Sequence, residues 1–202
     1  MKEVLIIFAK NPEYGKVKTR LAATIGNEQA LFIYQKLIEH TIAITKKISA
    51  DKIVFYSDSI VEKDTWENNI YQKKLQSGND LEDRMKNAFK SSFTAGYDKV
   101  IIIGTDCFEL NEEFISIAFE KMNDDDVVLG PAKDGGYYLL GMKKFYPSLF
   151  ENIEWSSEKV LKQTLSTAMR LNLSVFLLPP LSDIDREPDL KDYSALFTKN
   201  KK

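Results

Sequence analysis

Short apolar runs without polar alternation take turns along this chain with longer stretches in which apolar residues recur every third or fourth position. Residues 3–9 (EVLIIFA), 52–57 (KIVFYS), 70–75, 99–103 (KVIII), 126–129, 137–142 (YYLLGM) and 175–178 read as strands. A run of β-branched residues with no polar face suits a strand covered on both sides, as in a parallel sheet. Between the strands, residues 27–48 place Leu31, Tyr34, Leu37, Ile38, Thr41 and Ile42 on one helical face, with Asn27 as the N-cap. Further helices are predicted from Asp80 through Leu81, Met85, Ala88 and Phe89 to a C′ residue at Gly96, over 111–122 with Phe114, Ile117 and Ala118 inward, over 157–171, and over 187–197. The acidic, asparagine-rich stretch 58–69 reads as surface helix or loop.

Alternation of this kind predicts an α/β fold: three α/β/α layers around a mostly parallel, mixed sheet, with ligands beyond the carboxyl ends of the strands. With 202 residues, 44% of them hydrophobic, the chain suffices for one compact core, and a single domain over 1–202 is expected. There is no internal repeat, low-complexity tract or linker. The 28 Lys and Arg against 30 Asp and Glu give a net charge of −2, and no long basic run precedes Lys199, Lys201 and Lys202. No nucleic-acid footprint is expected, so the partners sought are small molecules. The lone Cys107 excludes an intrachain disulfide, and with the lone His40 it cannot build a Cys/His zinc cluster. No leader-like segment and no window of membrane-spanning length is found, so a cytoplasmic location without a membrane span is expected. Cys107 reads as a small apolar core residue, His40 as a helix surface or core-edge residue, and Trp155 as a packing residue.

The loops that leave strands carry the candidate chemistry. After the first strand, KNPEYGKVKTRLA brings Lys10, Lys16, Lys18 and Arg20 to a strand-to-helix turn, where cations and backbone N–H groups suit a phosphate. A single glycine, Gly15, is too few for G-x-G-x-x-G, and Val17 after Lys16 breaks the P-loop pattern, so both are rejected. A solvated basic loop is the alternative. After the 99–103 strand, Asp106 is placed either to hold Mg2+ or Mn2+ or to close a turn through backbone N–H groups, although Asn111 is better placed to cap the next helix. LSDIDREPDL supplies Asp183 and Asp185 beyond the last strand, with an Asx turn or helix cap as the other reading. In GPAKDGGYYLLG, Asp134-Gly135-Gly136 is hairpin chemistry; the glycines would also let a substrate approach the backbone while Asp134 orients an acceptor or serves as general base.

Taken together and in order, FAKNPEYGKVKTRLA, QSGNDLEDRM, VIIIGTDCFEL, VVLGPAKDGGYYLLG, WSSEKVL and LSDIDREPDL resemble the radical-SAM/selenodomain-associated transferases, a glycosyltransferase-like family of the nucleotide-diphospho-sugar transferase superfamily with its GT-A type sheet. More distant similarity runs to 2-phospholactate and molybdenum-cofactor guanylyltransferases. The resemblance implies that Lys16, Lys18, Thr19 and Arg20, with Lys10 nearby, hold nucleotide phosphates, and that Gln76 and Gly78 lie near the base or ribose. It further implies that Asp106 binds a divalent metal, Mg2+ or Mn2+, with Asp185 as second ligand. The implied activity is glycosyl transfer from a nucleotide-diphospho-sugar to a small-molecule acceptor; Asp106, with Asp134 as the base read from its own segment, would be the catalytic residues. Nucleotidyl transfer with release of pyrophosphate, and a nucleotide-binding module without turnover, are the alternatives.

Overall fold

The computed structural model describes residues 1–193. Seven strands form one sheet in the order β3-β2-β1-β4-β6-β5-β7: β1 Glu3–Ala9, β2 Asp51–Tyr56, β3 Tyr71–Leu75, β4 Lys99–Ile103, β5 Val127–Pro131, β6 Tyr137–Met142 and β7 Val175–Leu177. All are parallel except β6, which runs antiparallel to β4 and β5. The expected mixed, mostly parallel sheet is therefore present, and the carboxyl ends of six strands share one edge.

Among the described residues five α-helices accompany the strands: α1 Thr19–Ile25, α2 Asn27–Thr45, α3 Leu81–Thr94, α4 Glu112–Lys121 and α5 Val160–Arg170. Alternate residues of the central strands feed two cores on opposite faces. Leu5, Ile7, Ile101 and Ile103 meet Tyr34 and Ile38 of α2 and Ile115, Ala118 and Phe119 of α4. Val4, Ile6, Val100 and Ile102 meet Met85, Ala88 and Phe89 of α3 and Ala168 of α5. This is the α/β/α sandwich anticipated from the fully apolar runs.

Local departures have local causes. Helix α1 has no counterpart in the periodicity, and Gly26, at φ 84°, ends it and caps α2, so Asn27 is the first residue of α2 and not its N-cap. Only glycine takes that backbone at little cost. On α4, Ala118 is buried as expected, joined by Ile115 and Phe119, whereas Phe114 and Ile117 are only partly buried. Leu81, expected inward on α3, is 43% exposed because Asp80 begins the helix at the surface, its carboxylate accepting the Asp83 N–H. The closing helix is a 3₁₀ turn over Glu187–Tyr193, and the rest of the expected 187–197 segment lies outside the described residues. Among the described residues no helix is long and apolar enough to cross a membrane.

Candidate functional site

Strand order reverses between β1 and β4: from β1 the chain moves to β2 and β3 on one side, and it later returns through β4 on the other. In open α/β sheets such a reversal opens a crevice at the carboxyl edge. The loops after β1 and β4 line it here. Val17 and Leu21, 2% and 0% exposed, pin the turn between them, and Lys18 adopts a left-handed backbone at φ 48°. That conformation is costly for a side-chain-bearing residue and clusters at functional sites. It drives the Lys18 side chain inward, 4% exposed, where Nζ lies 2.7 Å from Asp106 Oδ1. The same ammonium donates to the Ile184 carbonyl at 2.5 Å.

A third strand end joins them. The Ala132–Leu181 bridge and the Lys133 N–H to Leu181 carbonyl bond extend the β5–β7 pairing past both strands. Buried Ile184 then packs under α1 and α2, and its N–H donates to the Asp106 carbonyl at 2.9 Å. Asp183, one residue earlier, is partly buried, and desolvation followed by the Asp106 charge pushes its carboxyl up to about 7. Lys18 opposes that rise, Asp134 adds to it, and Cys107 hydrogen-bonds the carboxylate. The charges of Asp106, from the end of β4, and Asp134, from the end of β5, thus both bear on Asp183 at the end of β7, and the buried Lys18 ammonium opposes them.

The expected site residues separate on this geometry. Lys18 and Asp106 are brought into contact, and Arg20 Nη1 pairs with Asp185 at 3.0 Å one turn away. Lys16 points to solvent, 67% exposed, and pairs with Glu13. Thr19, exposed, opens α1. Lys10 extends outward, while its backbone N–H and carbonyl are both bonded to the Tyr34 hydroxyl. Gln76 donates to the Phe55 carbonyl at the end of β2 and accepts from Arg84. Gly78, at φ 137°, lies so close to α3 that a Cβ would sit 2.5 Å from that of Asp83. Asp134 Oδ1 accepts the Gly136 N–H at 2.9 Å, the expected hairpin turn. Gly135, however, lies against protein: a Cβ there would lie 2.2 Å from the Glu158 carbonyl oxygen, so its smallness serves the close approach of the backbone just before α5.

Two participants were not assigned from the sequence. Asp183 shares a motif with Asp185, and only the long-range β5–β7 pairing turns it toward Asp106. Tyr34, counted as a core residue, accepts the Lys10 N–H at 2.8 Å, donates to the Lys10 carbonyl at 3.0 Å and accepts from Thr105 Oγ at 3.3 Å, tying the β1 and β4 loops together. Burial raises the affinity of its hydroxyl for the proton, so it stays neutral. Cys107 is buried, and its thiol is pushed up to about 12, which removes it as a nucleophile. His40 packs on Phe108 with ring centroids 4.4 Å apart, and its Nε2 meets the Leu110 carbonyl. Trp155 stacks on Phe150 and donates to Glu82.

Among the described residues no three His, Cys, Asp or Glu side chains form a ready-made metal cage. Hard cations need fewer when phosphate oxygens and water complete the shell. Asp183 and Asp106 repel one another, which a shared cation would relieve, and the Asp106 side chain is 51% exposed. Asp106 and Asp183 are the carboxylates that would hold a hard cation such as Mg2+ or Mn2+.

Comparison with known proteins agrees with the fold. Residues 41–157 match the family described as "Uncharacterized protein conserved in bacteria (DUF2064)". A crystal structure from Desulfovibrio desulfuricans G20, described as a "putative nucleotide-diphospho-sugar transferase", is 31% identical, with 96% of this chain and 90% of that one covered at a TM-score of 0.85. The 4-diphosphocytidyl-2C-methyl-D-erythritol synthase of Anaerococcus prevotii DSM 20548 shares 11% identity over 98% of this chain and 96% of its own, TM-score 0.62. The inositol-1-phosphate CTP transferase of T. maritima shares 13% over 97% and 94%, TM-score 0.57. At such identities the last two show a common fold alone. No curated protein matches the sequence. The chain belongs to the DUF2064 family and has the fold of the nucleotide-diphospho-sugar transferases.

Proposed function

We propose that this protein is a transferase that uses a nucleotide-diphospho-sugar donor and passes the sugar to a small-molecule acceptor. The observation that carries the reading is the Lys18–Asp106 contact at the strand-order reversal, with Asp183 and Arg20 beside it. The 31%-identical relative bears a matching description, and the resemblance to the radical-SAM/selenodomain-associated transferases points the same way.

In this reading the diphosphate lies across the crevice, with Lys18 and Arg20 on its β1 side and the carboxylates of Asp106 and Asp183 on the other. Asp106 and Asp183 would hold Mg2+ or Mn2+, which supplies charge stabilisation for the departing phosphate oxygens. Asp185, implied by the resemblance as the second ligand, is here paired with Arg20 at 3.0 Å. Gln76, held between Phe55 and Arg84, stands at the end of β2 and β3, the direction in which a nucleoside would extend from the phosphates. Catalysis is then chiefly electrostatic, since the charge growing on the leaving group meets cations already positioned. Asp134, on the other side of Asp106, accepts the proton of the attacking hydroxyl.

The test is product identification. Incubation with a panel of nucleotide sugars and Mn2+ is expected to release nucleoside diphosphate. Pyrophosphate from nucleoside triphosphates would replace this reading with nucleotidyl transfer, and tight nucleotide binding with neither product would leave a binding module.

A further inference from the structure

We infer that the cavity beside Asp134 is the acceptor subsite, and that it takes a small molecule carrying a phosphate or carboxylate group. This rests on the transferase reading above for the word acceptor, though not for the anion. The cavity, of about 710 Å³, lies between the β5–β6 hairpin and the first turns of α5, and Lys133, Asp134, Lys159, Lys162 and Ser166 are among its lining. Such a volume accommodates a metabolite-sized ligand.

Charge and chemistry narrow the class. Among the described residues the ammonium groups of Lys133 and Lys162 have neither an ion-pair nor a hydrogen-bond partner, whereas Lys159 is paired with Glu154 at 2.9 Å. Two unpaired ammonium groups, Lys133 from the hairpin side and Lys162 from the α5 side, suit an oxyanion. The opposing charges of the lining are Asp134, which accepts the Gly136 N–H, and Glu158, whose backbone is packed against Gly135. No aromatic and no large apolar side chain lines the cavity, so it offers neither a stacking face for an uncharged sugar nor a surface for a lipid chain. Its floor is fixed, because the Leu161 N–H donates to the Gly135 carbonyl at 2.9 Å.

Position completes the argument. Asp134 lines this cavity and acts electrostatically on Asp183, so the cavity adjoins the acidic centre. It lies on the β6-β5-β7 half of the sheet, opposite the half that bears the basic loop and Gln76. A molecule anchored there by its anionic group presents its remaining polar groups to Asp134, across Asp106 from the nucleotide.

The test titrates the full chain separately with inorganic phosphate, acetate and a nucleoside diphosphate, following backbone amide resonances by NMR. Phosphate or acetate should shift residues 133–136 and 159–163 saturably, and the stronger of the two names the group. In the Lys133→Gln/Lys162→Gln variant this affinity should fall about tenfold, while nucleoside diphosphate, read at residues 10–20, should bind within about twofold of the wild type. Unchanged anion affinity in the variant, or no saturable shift at 133–136 and 159–163 with either anion, overturns the inference. Failure of the nucleotide to shift residues 10–20 counts instead against the transferase reading.

Discussion

The Lys18 ammonium reaches Asp106 at 2.7 Å from a backbone held in the left-handed region, and its side chain is nearly out of solvent while its partner is half exposed. A pair so asymmetric has an inner cation locked by structure and an outer carboxylate with a free oxygen. Lys18 also bonds the Ile184 carbonyl, so a single amine fastens the β1, β4 and β7 ends around one point.

Asp106→Asn should remove the carboxylate charge and keep the shape. The main-chain Ile184 to Asp106 bond does not depend on the side chain, so the fold is retained. Turnover is expected to fall by about 10²–10³, the usual effect of deleting one positioned electrostatic group. Lys18→Met should do comparable damage to turnover and lower stability as well, because it leaves Asp183 beside Asp106 without its nearest counter-charge. Steady-state kinetics with thermal melts separate the two: wild-type turnover in Asp106→Asn would remove Asp106 from the site.

Asp183 makes a pH prediction whose sign is fixed by its environment. Its carboxyl lies near 3.8 in the unfolded chain and is pushed up to about 7 in the fold, chiefly by desolvation and then by Asp106. The folded state holds the proton more tightly, so this group's contribution is intact below the unfolded value and is lost as pH rises through the folded one. The loss is about 4 kcal/mol in all, at 1.4 kcal/mol for each unit. Asp183→Asn should therefore gain stability over the wild type between pH 4.5 and pH 8. Urea unfolding of both proteins at the two pH values checks it; parallel behaviour would mean that Asp183 is ionised throughout.

What the sequence made legible follows from how local the causes are. The run from Val100 to Ile103 is apolar on both faces because two helical layers cover β4, and that alone delivers Asp106 to the carboxyl edge. Asn111 as the cap of α4 and the Asp134 turn were legible for the same reason, each being a bond across two or three residues. The choice between Lys16 and Lys18, or between Asp183 and Asp185, was not. Lys16 turns out to Glu13 and Lys18 turns in because Val17 and Leu21 are buried, while Asp183 faces Asp106 because β5 and β7 pair on past their ends. Helix α1 was invisible because seven residues carry too little periodicity, and Gly26 separates it from α2.

Gly135→Ala tests whether the hairpin carrying Asp134 is held by α5. The position has φ 94°, and the added methyl would meet Glu158 backbone, which cannot swing aside as a side chain would. An Ala at positive φ alone costs about 1 kcal/mol, and displacing the helix start adds to it. The melting temperature should drop by several degrees. Gly104→Ala, where nothing lies closer than 3.9 Å, should leave it within about a degree, and equal melts for the two would show that the Gly135 contact relaxes freely.

Tyr34→Phe isolates one hydroxyl that belongs to neither the basic loop nor the acidic one. Without it the Lys10 N–H and carbonyl and the Thr105 hydroxyl all lose their bond in a buried place, a cost of about 1–3 kcal/mol. A purely structural role would end there. If the hydroxyl sets the distance between the β1 and β4 loops, turnover falls too, since displacements of the order of 1 Å cost about 10² in rate. Tyr71→Phe is the matched control, because its buried hydroxyl bonds Thr45 and the Ile42 carbonyl away from the crevice. Both variants should melt earlier than the wild type, and only Tyr34→Phe should lose turnover measured well below its melting temperature. If kcat falls in neither or equally in both, the two loops are held in register by Lys18 alone.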